Sequence, residues 1–311
     1  DRKCYHMHST FTHRLSRLQF LLMRTRISKA LTYWGYFLAW RILGYLPEKS
    51  LYQLGNRAAP LFLSKSRRLR SNLQVIVGEP SDIELDELHR AGMRSYIRYW
   101  LDTFRFSRWS REKILSTVEL SNEHLLRDEL AKGNGAVVAI PHSGNWDHAG
   151  AYFSLTGAPV VTVAERLEPE KLFMRFLSHR TAMGMEVLPL DSRVSAHLAQ
   201  RLRQGRLVAL VADRDMTANG VSVDFAGRKA KFPGGPAVLS IQTGAPLLTA
   251  HVTYTVNGIR IDFDPVIAIP EYGSTSEKIA HMTQVVAERF YRRIREKPED
   301  WHMLQRIWIE S

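Results

Sequence analysis

Short apolar runs alternate with amphipathic stretches along most of this chain. Four runs rich in β-branched residues predict buried strands, at 135–140, 159–164, 186–190 and 206–212. The segments that follow the first three runs have the length and apolar spacing of helices, at 148–155, 168–184 and 192–204. Such an alternation predicts an α/β fold with a central, mostly parallel sheet flanked by helices.

The flanking segments fit the same plan. Ser81-Asp82-Ile83-Glu84 has the form of a capping box and predicts a helix that runs to about residue 106. Further elements are predicted as a strand at 221–225, a helix at 236–243, a hairpin of two strands around 256–258 and a long helix at 276–295. Without a repeat or a linker to divide it, the chain is expected to form a single globular domain.

A histidine and an aspartate mark the turn after the first predicted strand. The sequence there is Ile140-Pro141-His142-Ser143-Gly144-Asn145-Trp146-Asp147. Ligands of open α/β sheets bind at such carboxyl-terminal turns. An imidazole steadied by a carboxylate can take a proton from a hydroxyl near neutral pH. His142 and Asp147 are therefore candidate catalytic residues, although spacing alone is equally compatible with a chance surface pair.

Charge is concentrated at the N-terminal end. The net charge of +12 arises within residues 1–70, which hold 14 Lys and Arg and two acids, so that the remainder is neutral. Residues 27–70 are also rich in Trp, Tyr and Leu, which favours an anionic membrane surface over nucleic acid as the partner. We predict a basic, loosely ordered extension at 1–26 and membrane-surface helices at 27–70 within a folded domain of 27–311. An ordinary buried helix pair is the alternative for 27–70.

Three more polar groups follow predicted strands and should meet His142 at one rim of the sheet. They are Glu165-Arg166, Asp213-Arg214-Asp215 and the turn Phe232-Pro233-Gly234-Gly235-Pro236 before a helix. A metal site of His142, Asp147 and His148 is disfavoured because adjacent helical residues point apart. Ser143 lacks the flanking pattern of a nucleophile elbow, and no cofactor motif is present.

The turn and several other stretches resemble a known group of enzymes. His142 to Asp147 has the H-x4-D form of glycerolipid and lipid A acyltransferases, and the chain from about 28 to 308 is similar to the lauroyl/myristoyl lipid A acyltransferase superfamily. The mannoside branch of that superfamily, the phosphatidylinositol mannoside acyltransferases, is indicated by stretches at 162–167, 173–180, 212–215, 223–225, 234–237 and 298–305.

The resemblance implies transfer of a fatty acyl group from acyl-CoA to the 6-hydroxyl of a mannose on phosphatidylinositol mannoside, without a cofactor. It implies a peripheral protein at the cytoplasmic face of the inner membrane, with 27–311 as the acyltransferase domain. Acylation of another glycolipid of the lipid A type, hydrolysis of the acyl donor and non-catalytic lipid binding remain the alternatives. Acyl length, acceptor and oligomeric state are left open.

The resemblance also assigns residues. His142 is the implied general base, and the mannoside branch has a glutamate at the position of Asp213 that acts on the other ring nitrogen. Asp147 and Asp213 thus remain two candidates for the carboxylate that orients His142. The implied substrate-binding residues are Arg180, Glu165, Arg166, Arg214, Asp215, Asn219 and Gln242.

Overall fold

The computed structural model describes residues 30–31, 33–165, 168–215 and 219–309. The extension predicted at 1–26 lies outside the described residues, as does Arg166.

A seven-stranded sheet forms the centre of the fold. Its strands, in chain order, are β1 Val118–Ser121, β2 Ala136–Ile140, β3 Val160–Ala164, β4 Glu186–Pro189, β5 Leu207–Val211, β8 Leu247–Tyr254 and β9 Ile259–Phe263. The order across the sheet is β1-β9-β8-β2-β5-β3-β4. Pairing is parallel except between β8 and β9. Two further strands, β6 Val221–Phe225 and β7 Arg228–Phe232, form a separate antiparallel pair.

Eleven helices are found among the described residues. The first, α1, covers residues 33–43. The others are α2 Glu48–Ala58, α3 Arg67–Val77, α4 Asp82–Arg105, α5 Arg111–Ser116, α6 His124–Ala131, α7 Trp146–Leu155, α8 Glu170–Ala182, α9 Val194–Arg203, α10 Gly235–Thr243 and α11 Thr275–Glu296. Ser81 caps α4 with the predicted capping box. Short 3-10 turns include Ala59–Lys65 and Pro298–Asp300.

Two apolar clusters cover the two faces of the sheet. One joins the side chains of β2 and β5 that face α7, such as Val138 and Leu207, to Phe153 and Phe263. The other lies under α9, α10 and α11 and includes Val137 and Leu239. Strand side chains alternate between the faces, so the apolar runs read from the sequence correspond to strands buried on both sides.

An aromatic cluster attaches α1 to the domain. Trp40 packs edge-on against Phe104 of α4 and Phe176 of α8, with ring centroids 5.1 and 4.9 Å apart. Tyr36 contacts the same two rings and Trp100. The opposite side of α1 remains exposed. None of the described helices combines the length and the apolar character that crossing a bilayer requires.

The predicted fold class is confirmed. Each strand and helix predicted between 135 and 295 is present within a few residues of the expected bounds. The sequence pattern missed β1, α5, α6 and β7. β7 was overlooked because Lys229 and Lys231 make one side of it polar and Arg228 adds a third charge at its start, as suits a strand of a two-stranded sheet.

Candidate active site

The register of β2 and β5 brings His142 and Asp213 together. These parallel strands are neighbours, with Ile140 opposite Val211, and the Ala212 N–H donates to the Ile140 carbonyl at 2.9 Å. His142 stands two residues beyond Ile140, and Asp213 stands two beyond Val211. Both side chains therefore leave the same edge of the sheet side by side.

The turn after β2 has a conformation that its sequence supports. Gly144 has a φ of 59°, and a Cβ there would lie 2.5 Å from the carbonyl oxygen of Val252. Only glycine fits at such a position. Asn145 then caps α7 by accepting the His148 N–H at 3.0 Å. The turn is thus held between β8 and α7, which fixes where His142 projects.

His142 is bound to Asp213 through both its ring and its backbone. Nδ1 lies 2.5 Å from Oδ1 of Asp213, and the His142 N–H donates to Oδ2 at 2.9 Å. The Trp301 indole N–H also donates to Oδ2, at 2.8 Å. Burial acts to raise the pKa of Asp213, but His142 and these hydrogen bonds outweigh it, so its pKa is lowered. An ionised Asp213 accepts a hydrogen bond from Nδ1–H of His142. The proton of the neutral ring then lies on Nδ1, and Nε2 is the basic nitrogen.

Asp147 has different partners, which corrects the expectation that it holds His142. Its Oδ1 accepts from Nε of Arg180 at 2.7 Å, and its Oδ2 accepts from Nη2 of Arg180 at 3.4 Å and from the Tyr99 hydroxyl at 3.2 Å. Asp147 lies in the first turn of α7, so its side chain is directed to α8 rather than back over the turn. The ion pair joins α7 to α8, and the carboxylate that contacts the His142 ring is that of Asp213.

The three residues of the disfavoured metal site each have a different partner. His142 is bound to Asp213, and Asp147 is bound to Arg180. The Nε2–H of His148 donates to the carbonyl of Ile114 at 3.0 Å, and burial lowers the pKa of His148 to about 4. Ser143 is fully buried, so its hydroxyl is not exposed to a substrate.

A cavity of about 960 Å³ opens beside His142, whose side chain is 30% exposed. Its wall includes residues from both faces of the sheet. The lobe along α7 is apolar, lined by Leu126, Val138, Ala149, Gly150, Phe153, Ala250, Ile261 and Phe263. The lobe beside α9 and α10 is lined by Val194, Ser195, Leu198, Pro236, Val238 and Leu239. Trp146, at the start of α7 and in the same wall, lies beside His142, with 5.6 Å between the ring centroids.

Most of the expected site residues line this cavity. Besides His142 and Asp147, the polar residues of its wall include Glu165, Arg180, Arg214 and Asp215. Pro233, Gly235 and Pro236 of the predicted backbone turn line it as well. Polar residues that follow different strands thus line the same cavity at the carboxyl-terminal edge of the sheet, as expected from the topology.

Two expected residues are placed elsewhere. Asn219 and Gln242, both within the described part of the chain, are exposed and do not line the cavity. Gln242 lies in the last turn of α10, and the cavity meets that helix at its first turn. Neither side chain is therefore among those that line the cavity, and their assignment to substrate binding stays a prediction.

Several aromatic residues of the site were not singled out by sequence reasoning. Tyr99, Trp100 and Trp146 line the cavity, and Trp301 lies behind Asp213. Nothing in the local pattern of Tyr99 or Trp100 marks them, because they lie on an ordinary amphipathic helix. Trp301 belongs to the stretch 298–305, which contributed to the resemblance, but the resemblance assigned it no role.

Comparison with known proteins gives consistent matches. Residues 20–310 match the family described as bacterial lipid A biosynthesis acyltransferase. A phosphatidylinositol mannoside acyltransferase of Mycolicibacterium smegmatis is 38% identical over 283 residues, covering 88% of this chain and 90% of that protein. One of Mycobacterium tuberculosis (strain ATCC 25618 / H37Rv) is 37% identical over 293 residues, covering 92% of this chain and 91% of that protein.

Proposed function

The chain belongs to the bacterial lipid A biosynthesis acyltransferase family, and from this membership we propose that it transfers a fatty acyl group from acyl-CoA to a mannose 6-hydroxyl of phosphatidylinositol mannoside. The names of its relatives support this acceptor. The observation that carries the proposal is the His142–Asp213 pair at the rim of a cavity that is apolar along one lobe.

His142 acts as the general base in this proposal. Its Nε2 takes the proton of the mannose hydroxyl while the oxygen attacks the thioester carbonyl carbon. The C–O bond forms, the C–S bond breaks, and the protonated His142 returns the proton to the departing CoA thiolate. Asp213 keeps the proton of the neutral ring on Nδ1 and stabilises the imidazolium that forms in between.

The lobe along α7 suits the acyl chain. Trp146, Ala149, Gly150 and Phe153 line it, at the spacing of one helix face, from beside His142 to two turns further along. Leu126 and Phe263 add further apolar side chains to this side of the cavity wall. A thioester at His142 would thus have its chain in a setting where burial of each CH₂ is worth about 0.8 kcal/mol.

The rim supplies polar partners for a sugar and for the polar parts of acyl-CoA. Glu165 and Asp215 offer carboxylates for hydroxyl groups, and Arg214 offers a cation. Arg180 keeps Asp147 in place and lines the cavity itself. In this proposal the acceptor approaches His142 across these residues, because the α7 lobe is filled by the acyl chain.

The exposed side of α1 is the proposed membrane contact. Trp34, Leu38 and Ile42 of α1 lie on it, together with Leu31 ahead of residue 33 and Tyr45 in the turn after the helix. These side chains recur every three or four residues and are each between 48% and 68% exposed. The buried side of α1 packs on Trp100 and Phe176, which are themselves part of the cavity wall. A helix lying on a bilayer there would bring the cavity close to a lipid-bound acceptor.

Replacing Leu31, Leu38 and Ile42 together by serine is expected to lower binding to vesicles of phosphatidylcholine and phosphatidylinositol at least tenfold, because three exposed apolar side chains no longer enter the bilayer. Co-sedimentation at several lipid concentrations measures the change. The matched control replaces Val256 and Tyr272, which are 93% and 87% exposed in loops elsewhere, by serine. Equal losses in both variants would contradict a role of α1.

The test of the proposed function is incubation of the purified chain with palmitoyl-CoA and phosphatidylinositol mannoside, followed by mass spectrometry of the lipids. We expect one added palmitoyl group on a mannose and release of one CoA for each. Free palmitate without acylated lipid would show that the chain hydrolyses the acyl donor and does not transfer the acyl group. A parallel reaction with a lipid A precursor separates the acceptors, and exclusive acylation of that lipid would overturn the mannoside assignment.

A further inference from the structure

The segment Asp300–His302 is bound to the turn that carries His142. The Gly144 N–H donates to the Asp300 carbonyl at 2.9 Å, and the His302 N–H donates to the His142 carbonyl at 2.7 Å. Trp301 lies between these two bonds, opposite Ser143 in an antiparallel bridge. The backbone of the segment therefore fixes both sides of the His142 turn.

The segment is itself held from behind. The Asp300 carboxylate accepts the Ser95 hydroxyl at 2.6 Å and the Tyr254 N–H at 2.7 Å, and it lies 3.2 Å from the Lys297 ammonium. These partners come from α4, β8 and the end of α11. Through Asp300, Trp301 is thus attached to three parts of the fold other than β5, the strand that Asp213 follows.

The indole of Trp301 reaches the carboxylate that holds His142. Asp213 is fully buried, and its Oδ2 accepts from both the Trp301 Nε1–H and the His142 backbone N–H. With Oδ2 fixed by two donors, the carboxylate plane is set and Oδ1 faces Nδ1 of His142. A hydrogen bond to a charged acceptor is stronger than one between neutral groups.

A packing role alone would not need this contact. The Trp301 ring packs on Phe225, at 6.0 Å between centroids, and so does Trp308, at 5.4 Å. Yet the indole nitrogen of Trp308 is buried with no hydrogen-bond partner in the described part of the chain. The two tryptophans share an aromatic neighbour and differ in whether the N–H reaches the site, which makes Trp308 a matched control.

We propose that Trp301 is a positioning residue, which through its indole N–H sets the orientation of Asp213 and thereby the proton location and basicity of His142. This inference rests on the proposed function for its effect on turnover. Its effect on the titration of His142 does not depend on which substrate is used.

Loss of the indole N–H should have two consequences. Asp213 would lose one of its two Oδ2 donors, so that its charge is less satisfied and stabilises a protonated imidazole beside it more strongly. The carboxylate would also be free to rotate, so that fewer molecules have the productive geometry. Turnover should fall, with little change in the KM for either substrate, because Trp301 touches neither.

Other ionisable groups near His142 bear on this titration. His302, behind the turn, remains neutral, because burial and then the proximity of His142 lower its pKa to about 3. The charged groups on the cavity side are Asp147, Glu165, Arg180, Arg214 and Asp215. All of them are retained in the variants below, so that a change in the titration of His142 is due to position 301.

The experiment compares Trp301→Phe, Trp308→Phe and a protein with 3-benzothienylalanine at position 301, in which sulfur replaces the N–H and the ring shape is kept. For the two changes at 301 we expect kcat to fall roughly 10- to 100-fold and the acid limb of the rate profile to move up by roughly one pH unit. The His142 ring resonance, assigned with the His142→Ala protein, should show the same pH shift.

The outcomes separate positioning from packing. Trp308→Phe should leave kcat and the titration of His142 as in the unaltered chain. A fall in Trp301→Phe that the benzothienyl protein does not share would assign the effect to lost ring volume and overturn the proposal. An unmoved titration of His142 in both proteins changed at 301 would overturn it as well. If the unaltered chain transfers no acyl group, the proposed function fails, while the ring titration still decides the role of Trp301.

Discussion

Replacing His142 by alanine is expected to lower acyl transfer by a factor of about 10² to 10⁴, the range that a positioned general base contributes. Without the imidazole, a mannose hydroxyl must lose its proton to water, although the donor can still enter the cavity. The KM for acyl-CoA should therefore change little, while kcat falls. Release of CoA from palmitoyl-CoA in the presence of the mannoside acceptor measures both.

The fold should tolerate this change. The Asp213 carboxylate keeps the Trp301 indole and the backbone N–H of residue 142 as donors, and the His142 ring is partly exposed. Vesicle binding and the midpoint of thermal unfolding should stay close to those of the unaltered chain. His281→Ala, at an exposed position on α11, controls for loss of a histidine in general. Turnover of the His142 variant within a few-fold of normal would refute the base assignment and favour a protein that binds lipid without chemistry.

The turn after β2 shows how far the sequence leads. Its two apolar runs, with a turn that contains glycine and asparagine between them, predicted a strand, a turn with His142 and a helix, and these are present. The rule that ligands gather at the carboxyl ends of parallel strands also anticipated which polar clusters meet there. Local patterns predict single strands, turns and helices, and the fold class gives the parallel strands a common direction. These two kinds of information were therefore sufficient to predict this part of the site.

The partner of His142 required more than local pattern. Asp147 is five positions away in sequence, whereas Asp213 is 71, and only the adjacency of β2 and β5 makes the distant one the neighbour. Strand order is a long-range property that no single segment encodes, so the residue pattern alone could not choose between the carboxylates. The likeness to known enzymes added Asp213 as a candidate beside Asp147, and the register of the strands makes Asp213 the neighbour of His142. The contact of Trp301 with Asp213 could not be predicted from the sequence for the same reason.

Replacing Arg180 by methionine is expected to destabilise the protein by about 3 kcal/mol, because it leaves the Asp147 carboxylate buried without its cation. The two Arg180–Asp147 hydrogen bonds join α8 to α7, and both side chains are largely buried. Tyr99 and the N-terminal turn of α7 keep stabilising Asp147, which places the loss at the lower end of the range for broken buried pairs. Urea unfolding followed by circular dichroism measures it.

The pair of Asp147→Asn with Arg180→Met provides the decisive comparison. With the carboxylate replaced by a neutral amide, no unpaired charge remains, and Tyr99 can still donate to the amide oxygen. The double variant should therefore be more stable than Arg180→Met alone, with a coupling energy well above the few tenths of a kcal/mol seen for independent sites. Additive losses would mean that the ion pair contributes only packing.

The double variant, once its stability is restored, also tests whether Arg180 contacts the acyl donor. A KM for acyl-CoA that remains raised in it would show such a contact. A normal KM would mean that Arg180 only joins the two helices that form the cavity wall.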